Sequence, residues 1–196
     1  MKIYIVRHGQ TNSNLRRACI GHKDVSLNEA GEEQARKLAE KLSDIDFDFV
    51  YTSPLSRAVN TIMPTMNIKK DVKLIMNYGL IERDFGLMDD MSFEEIKEKF
   101  PYEYAAWMKD LISYRPPEGE SVNDVYNRAS ETIDKIINAH KNSNILIVTH
   151  YAIAKTIIAH LLGLSAEHSQ VFYLDNACIT EVEYKNGKGM LTALNV

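Results

Sequence analysis

The chain has 196 residues, of which 45% are hydrophobic and 26% charged, a composition typical of one ordinary globular domain. A net charge of −4 excludes the overall positive field that attracts nucleic acid, and no apolar run reaches the ~18–20 residues that span a bilayer. Because the apolar run at the start of the chain is too short for a secretion signal, we expect a cytoplasmic protein with neither nucleic-acid nor membrane partners.

The first half of the chain alternates strand-like and helix-like stretches. In chain order, the predicted elements are a strand at 3–6, a polar loop at 7–14, a helix at 26–42, a strand at 47–52, a helix at 55–66 and a weak strand at 72–75. Either Ser26, as part of a capping box, or Asn28 is the N-cap of the first long helix. Pro54 is expected near the first turn of the second, where proline is tolerated.

The second half continues the alternation after a helical stretch. In chain order, it is predicted to hold a short helix after residue 92, a helix at 102–113, a helix at 122–137, a strand at 145–148, a helix at 152–162, and strands at 177–184 and 190–196. Ser92 and Ser121 each begin a capping-box pattern. Gly163 is a C-cap candidate, and Asn186-Gly187 is typical of a tight hairpin between the last two strands.

This alternation predicts the α/β class. Residues from about 86 to 119 are predicted to be helical and without strands, as an insertion over one end of the sheet. We therefore expect a single domain over 1–196 with a helical lid at about 86–119. Cys19 and Cys178 are too few for a disulfide framework and are expected to be buried or half-buried thiols.

Polar residues follow three of the predicted strands. His8 follows the first strand, Ser53 and Arg57 follow the second, and His150 follows the strand at 145–148. Ligands of open α/β sheets bind beyond the carboxyl ends of the strands. These side chains are therefore predicted to converge at one site.

The residue types at these positions suit phosphoryl chemistry. Arg7 and Arg57 can bind a phosphoryl group through paired charge-assisted hydrogen bonds, and the helix after His150 would add its N-terminal N–H groups. A neutral histidine is a competent phosphoryl nucleophile. A leaving alkoxide needs a proton, which requires a carboxylic acid nearby.

Five blocks of sequence carry a resemblance to a known family. They are Arg7-His8-Gly9-Gln10-Thr11 followed by Asn14; residues 21–31 with Gln34-Ala35; Ser53-Pro54-Leu55-Ser56-Arg57-Ala58 with Thr61; Leu80-Ile81-Glu82 with Phe85-Gly86; and Pro117-Glu118-Gly119-Glu120-Ser121 with Val148-Thr149-His150. In these motifs and their order the chain resembles the histidine phosphatase superfamily, branch 1, of phosphoglycerate mutase-like proteins. In character it resembles the small phosphatases of the family, such as α-ribazole phosphatase and the broad-specificity phosphoglycerate mutase-like phosphatases.

The resemblance implies a fold and a division of roles. The fold would be a three-layer sandwich with a mostly parallel central sheet between helices. His8 would be the phosphorylated nucleophile, and Glu82, in competition with Asp84 and Asp89, the proton donor. The expected phosphoryl clamp consists of Arg7, Arg57 and His150. Further contacts to the substrate are expected from Gly9, Thr11, Asn14, His22 and Tyr151. Neither a metal nor a cofactor is implied.

Two positions depart from the family pattern. Asp90 stands where the family usually has glycine, which predicts a different backbone turn beside the acid. Tyr151 replaces the small residue that usually follows the second histidine, and could narrow the pocket or lend it a hydroxyl. Four aromatic or methionine residues lie in the expected lid: Tyr102, Tyr104, Trp107 and Met108. For these a place in the core is the preferred expectation, and a place in a substrate pocket is the alternative.

The number of cationic residues in the lid helps to distinguish a phosphatase from a mutase. Mutases of the family carry extra lid arginines that grip a second anionic group and exclude water, whereas this lid offers only Lys97, Lys99, Lys109 and Arg115. We therefore predict a metal-independent phosphomonoesterase that acts on a small phosphorylated substrate, as a monomer or homodimer. A cofactor-dependent phosphoglycerate mutase and a non-catalytic phospholigand-binding module are the alternatives.

Overall fold

A computed structural model describes all 196 residues of the chain. The strands are β1 (Lys2–Arg7), β2 (Ala18–Cys19), β3 (Phe49–Thr52), β4 (Lys73–Met76), β5 (Met91–Ser92), β6 (Ile145–Thr149), β7 (Ile179–Lys185) and β8 (Lys188–Ala193). The helices are α1 (Asn12–Leu15), α2 (Glu29–Ser43), α3 (Ser56–Ile68), α4 (Phe93–Lys99), α5 (Pro101–Lys109), α6 (Val122–Ala139) and α7 (Tyr151–Leu161). Short 3₁₀ turns lie at Tyr78–Leu80, Gly86–Met88 and Glu167–Val171.

Six strands form the central sheet in the order β4-β3-β6-β1-β7-β8. The first four are parallel, and β7 and β8 are antiparallel to their neighbours. Helices cover both faces, so the predicted α/β sandwich with a mostly parallel sheet is confirmed. In the register, Arg7 pairs with Thr149 and Thr52 with Val148, so β1, β6 and β3 end at the same edge.

The central strands are buried on both faces, as their continuous apolar runs require. On one face, Ile5 and Ile147 pack with apolar residues of α6 and α7. On the other face, Val6 and Val148 pack with apolar residues of α2 and α3. Burying one such side chain contributes about 1.5–3 kcal/mol, so these strands hold the sheet edge in place.

Side-chain N-caps explain where four of the seven helices begin. The predicted capping boxes at Ser92 and Ser121 are confirmed. Of the two N-caps considered for α2, the structure has Asn28, which accepts a hydrogen bond from the Gly31 N–H, so the start at residue 26 was wrong. Pro54 lies directly before Leu55, the N-cap of α3, and so near the first turn of that helix, as predicted.

Residues 7–14 were predicted to be a polar loop, and this was wrong for the last three of them. Asn12–Leu15 form one helical turn, and Thr11 is its N-cap. The Thr11 hydroxyl accepts from the Asn14 N–H, and the Asn14 amide oxygen accepts from the Thr11 N–H. This reciprocal pair does locally what a Ser-x-x-Glu box does, but with an asparagine in the third position.

The segment 86–119 is not free of strands, so that prediction was wrong. Met91–Ser92 of β5 pair antiparallel with Ala18–Cys19 of β2. The segment packs in a separate apolar cluster that includes Met88, Ile96 and Trp107. Its second helix ends at Lys109 rather than near residue 113 because Asp110 accepts hydrogen bonds from two following backbone N–H groups and turns the chain.

Asp90 has a backbone conformation that glycine adopts more readily than other residues. Its φ is +61°, in the left-handed region that aspartate tolerates better than most residues. The Asp90 N–H donates to the Cys19 carbonyl over 2.7 Å, and its carboxylate binds Arg16 and Lys23. These contacts hold a turn that would otherwise favour glycine.

Several smaller expectations are settled as well. The predicted hairpin is present, with positive φ at both Asn186 and Gly187, and its second strand covers Lys188–Ala193 instead of 190–196. Cys19 and Cys178 are unpaired and buried, and burial raises the pKa of the Cys19 thiol to about 12. None of the helices is both long and apolar enough to span a membrane.

Candidate active site

The common edge of β1, β3 and β6 brings two histidines together. His8 and His150 each follow a strand directly, and their ring centres are 5.2 Å apart. Backbone bonds fix the loops: the His8 N–H donates to the Thr149 carbonyl and the Ser53 N–H to the Val148 carbonyl. The predicted convergence of strand ends is therefore present in the fold.

His8 presents a free ring nitrogen. Its Nδ1 is 2.7 Å from the Gly9 carbonyl, which can only accept, so Nδ1 carries the proton and Nε2 keeps its lone pair. Burial lowers the pKa of His8 well below its ordinary value, and the Arg57 and Arg7 charges lower it further. The ring is thus neutral and nucleophilic at Nε2.

His150 has the opposite tautomer. The Arg57 Nε can only donate, and it lies 3.1 Å from Nδ1 of His150, so the proton of His150 is on Nε2. That N–H donates to the Ser53 hydroxyl over 2.7 Å. Burial, followed by the Arg57 charge, keeps the pKa of His150 well below its ordinary value.

The two arginines differ in how fully they are bonded. Arg57, in the first turn of α3, is completely buried and also donates to the carbonyls of Gly21 and Lys23. Arg7 donates to the Leu174 carbonyl over 2.7 Å, but its Nε is buried without any hydrogen-bond partner. A buried donor of this kind is costly unless an acceptor arrives, and a phosphoryl oxygen is a suitable one.

Glu82 is buried at the N-terminus of α7. Its carboxylate accepts from the backbone N–H groups of Arg83, Ala152 and Ile153, which uses three of roughly four acceptor positions. The expectation that the N-terminal N–H groups of this helix point at the phosphoryl group therefore needs correction, because two of them bind Glu82. The competing carboxylates Asp84 and Asp89 bind loop backbone N–H groups instead.

A cavity of about 440 Å³ opens onto these residues. Arg7, His8, Asn14 and Glu82 line one part of it, while Arg57 and His150 are buried behind this wall. Much of the remaining wall is apolar and is made by Ile20, Phe85, Phe93, Trp107, Met108 and Leu111. The cavity wall thus combines polar and charged side chains with hydrophobic ones.

The aromatic and methionine residues of the segment 86–119 divide between the cavity and other surroundings. Trp107 belongs to the apolar cluster, as expected, and also lines the cavity, whereas the 42% exposed Met108 lines the cavity without being part of that cluster. Tyr104 packs against the separate apolar cluster, and Tyr102 is 89% exposed.

Only two of the five expected substrate contacts lie on the cavity wall. Asn14 and Tyr151 line the cavity, whereas Gly9, Thr11 and His22 do not. Gly9 packs so closely on α2 that an added Cβ would lie 2.7 Å from the Gly31 carbonyl oxygen. Thr11 caps α1, and His22 bonds to the Glu82 carbonyl.

Three cations of the cavity wall were not predicted from the sequence. They are Arg17, Arg83 and Lys155. Arg83 donates to the carbonyls of Glu120 and Tyr114 and stacks on Trp107. For Lys155 the sequence does contain an indication of an unusual role. It is the one charged residue in the mostly apolar stretch of α7 between Ala152 and Ala159.

The buried histidines predict an acid-sensitive fold. Unfolded histidines take up protons near pH 6.5, but folded His8 and His150 resist protonation, so below that pH the unfolded state binds more protons. Their contribution to stability is complete above pH 6.5 and is lost as the pH falls towards their folded pKa values. We expect the free energy of unfolding to fall by about 1 kcal/mol per histidine per pH unit.

Urea unfolding followed by the fluorescence of Trp107, between about pH 7.5 and about pH 5.5, measures this slope. The window lies above the range in which carboxylates titrate. His150→Asn should reduce the slope, whereas His168→Asn, at an exposed position, should keep it. A flat profile in the unchanged protein would contradict the expectation.

Comparison with known proteins agrees with this geometry. Residues 3–196 match the profile of the histidine phosphatase superfamily, branch 1. The chain belongs to the histidine phosphatase superfamily. The family's phosphatases act through a phosphohistidine, so this histidine phosphatase is a hydrolase of that type.

Individual relatives are phosphatases that match over nearly their full length. Phosphoserine phosphatase 1 of Hydrogenobacter thermophilus is 29% identical over all of this chain and 92% of its own. The phosphatase PhoE of Bacillus subtilis is 30% identical over 99% of this chain and 94% of its own. The crystal structure of the α-ribazole phosphatase from Shigella flexneri superposes with a TM-score of 0.94 at 28% identity, covering 100% of this chain and 96% of its own.

Proposed function

We propose that this histidine phosphatase hydrolyses small phosphomonoesters through a phosphohistidine on Nε2 of His8. One observation carries the assignment: a neutral histidine with a free Nε2 shares a cavity wall with Arg7, whose buried Nε lacks an acceptor. The nucleophile and an anion-binding donor are therefore already in place before a substrate arrives.

The reaction would proceed in two displacements. Nε2 of His8 attacks phosphorus, the ester P–O bond breaks, and Glu82 gives its proton to the leaving oxygen. Water then attacks the phosphorus of phospho-His8 while Glu82 takes up a proton, and the P–N bond breaks to release phosphate. Arg7, Arg57 and His150 would stabilise the charge on the phosphoryl oxygens, and Asn14 would donate a further hydrogen bond.

We further propose that the single domain 1–196 uses the segment 86–119 as a lid that favours hydrolysis over mutase chemistry. The segment contributes four residues to the cavity wall, and all are apolar: Phe93, Trp107, Met108 and Leu111. None of its lysines and arginines reaches the wall, so it lacks cations that would hold a second phosphate during isomerisation.

The proposed substrates are small molecules with one phosphate. Relatives are named for phosphoserine and α-ribazole phosphatase activities, and the cavity of about 440 Å³ can hold a molecule of that size. We also propose a cytoplasmic location and a monomeric or homodimeric state, which cell fractionation and gel filtration would measure.

A substrate panel tests the reaction. Purified protein is assayed with phosphoserine, α-ribazole phosphate, sugar phosphates and 4-nitrophenyl phosphate, and separately with 3-phosphoglycerate plus 2,3-bisphosphoglycerate. We expect release of inorganic phosphate from several esters without added metal. Efficient formation of 2-phosphoglycerate would instead support a mutase, and a lack of turnover and of phosphoenzyme would support a binding module.

A further inference from the structure

Lys155 is a buried cation that the proposed reaction does not use. It lies on α7, is 5% exposed, and lines the same cavity as His8. Its ammonium group donates to the Gln170 side-chain oxygen over 2.9 Å and forms no salt bridge. An ammonium has three donors, so two remain for a ligand in the cavity.

Tyr151 links Lys155 to the phosphoryl end of the cavity. The Arg7 guanidinium lies 4.7 Å from the centre of the Tyr151 ring, and the Lys155 ammonium lies 4.8 Å from it. The two cations are therefore separated by no more than the sum of these distances. The arrangement depends on the Tyr151 ring, which both cations contact.

The surroundings of Lys155 favour an anionic ligand. Burial lowers the pKa of Lys155 to about 8, and the charge of Glu82 opposes that shift only in part. The lysine therefore remains mostly charged at neutral pH, in a place where an unpaired charge is costly. A single ammonium balances a single negative charge, which fits a carboxylate better than a second phosphate.

We propose that Lys155 binds a carboxylate on the leaving group of the substrate. Preferred substrates would then be phosphomonoesters whose leaving group has an apolar body and a carboxylate. The apolar body would contact the wall that includes Phe85 and Trp107, while Arg7 and His8 hold the phosphoryl group. This assignment rests on the proposed phosphatase function.

A matched pair of substrates tests the assignment. For each protein, the unchanged one and Lys155→Met, kcat/KM is measured with phenyl phosphate and with 4-carboxyphenyl phosphate. The ratio of kcat/KM for the carboxylated ester to that for phenyl phosphate is then compared between the two proteins. We expect Lys155→Met to lower the preference for the carboxylated ester by roughly 10- to 100-fold, mainly through KM. Lys155→Arg should restore part of it.

The control is Lys135→Met, because Lys135 is on the solvent side of α6 with its side chain 80% exposed. It should keep the original ratio. Since methionine avoids the desolvation cost of a buried ammonium, Lys155→Met should unfold at no lower a temperature than the unchanged protein. An unchanged ratio in folded Lys155→Met would overturn this assignment alone, whereas no turnover of either ester would overturn the phosphatase proposal.

Discussion

Replacing His8 with alanine is expected to remove turnover almost completely, lowering kcat by roughly 10⁴-fold or more. The reason is chemical: Nε2 of His8 is the neutral nitrogen that we propose accepts the phosphoryl group, and alanine offers no substitute. Arg7, Arg57 and His150 would still be present, so the variant should bind phosphate and vanadate while failing to react.

Trapping of the intermediate provides the direct measurement. Rapid quenching of the unchanged protein with radiolabelled substrate should give a label that is stable in alkali and labile in acid, as expected of a phosphoramidate. His8→Ala should carry none. His168→Ala is the matched control, because His168 is exposed and its side chain bonds only to Ser165. A labelled His8→Ala protein would refute the assignment.

Glu82→Gln is expected to give the second large effect, and its size should depend on the leaving group. A poor leaving group such as the serine alkoxide needs the proton, so kcat for phosphoserine should fall by roughly 10²- to 10⁴-fold. 4-Nitrophenolate leaves without protonation, so Glu82→Gln should lower the rate of the first displacement much less with 4-nitrophenyl phosphate. Single-turnover measurement of nitrophenol release isolates that step from hydrolysis of the phosphoenzyme.

Asp84→Asn and Asp89→Asn are the controls for this experiment, since neither carboxylate lines the cavity. They should retain the leaving-group dependence of the unchanged protein. Glutamine at position 82 has only one acceptor oxygen for three backbone N–H groups, so Glu82→Gln should also lose about 1–3 kcal/mol of stability. Equal losses with both esters would show that Glu82 is not the acid.

Much of this architecture was predictable because it depends on local patterns. Ile3, Ile5, Ile145 and Ile147 lie in short apolar runs rich in β-branched residues, which favour a buried strand. The residues that follow parallel strands of one sheet then meet at one edge of it. The caps at Ser92 and Ser121 likewise use residues three positions apart.

Other features were not predictable because they depend on partners distant in sequence. The pairing of Ala18–Cys19 with Met91–Ser92 is too short to show any periodicity. Glu82 caps a helix that begins about seventy residues later, so no local pattern indicated that the N-terminus of α7 would be occupied. Lys155 was visible as an isolated charge, but its direction into the cavity follows from the packing of α7.

The order of strands in the sheet also determines when this protein can become active during its synthesis. β6 lies between β3 and β1 although it is the last of the three to leave the ribosome, and it carries His150 at its end. Until it inserts, β1 and β3 have no strand to join them, and His8 and Arg57 cannot share a site. Such long-range closure is slow compared with local helix formation. A chain cut short before Ile145 therefore cannot assemble the proposed site, although most of its sequence motifs are already present.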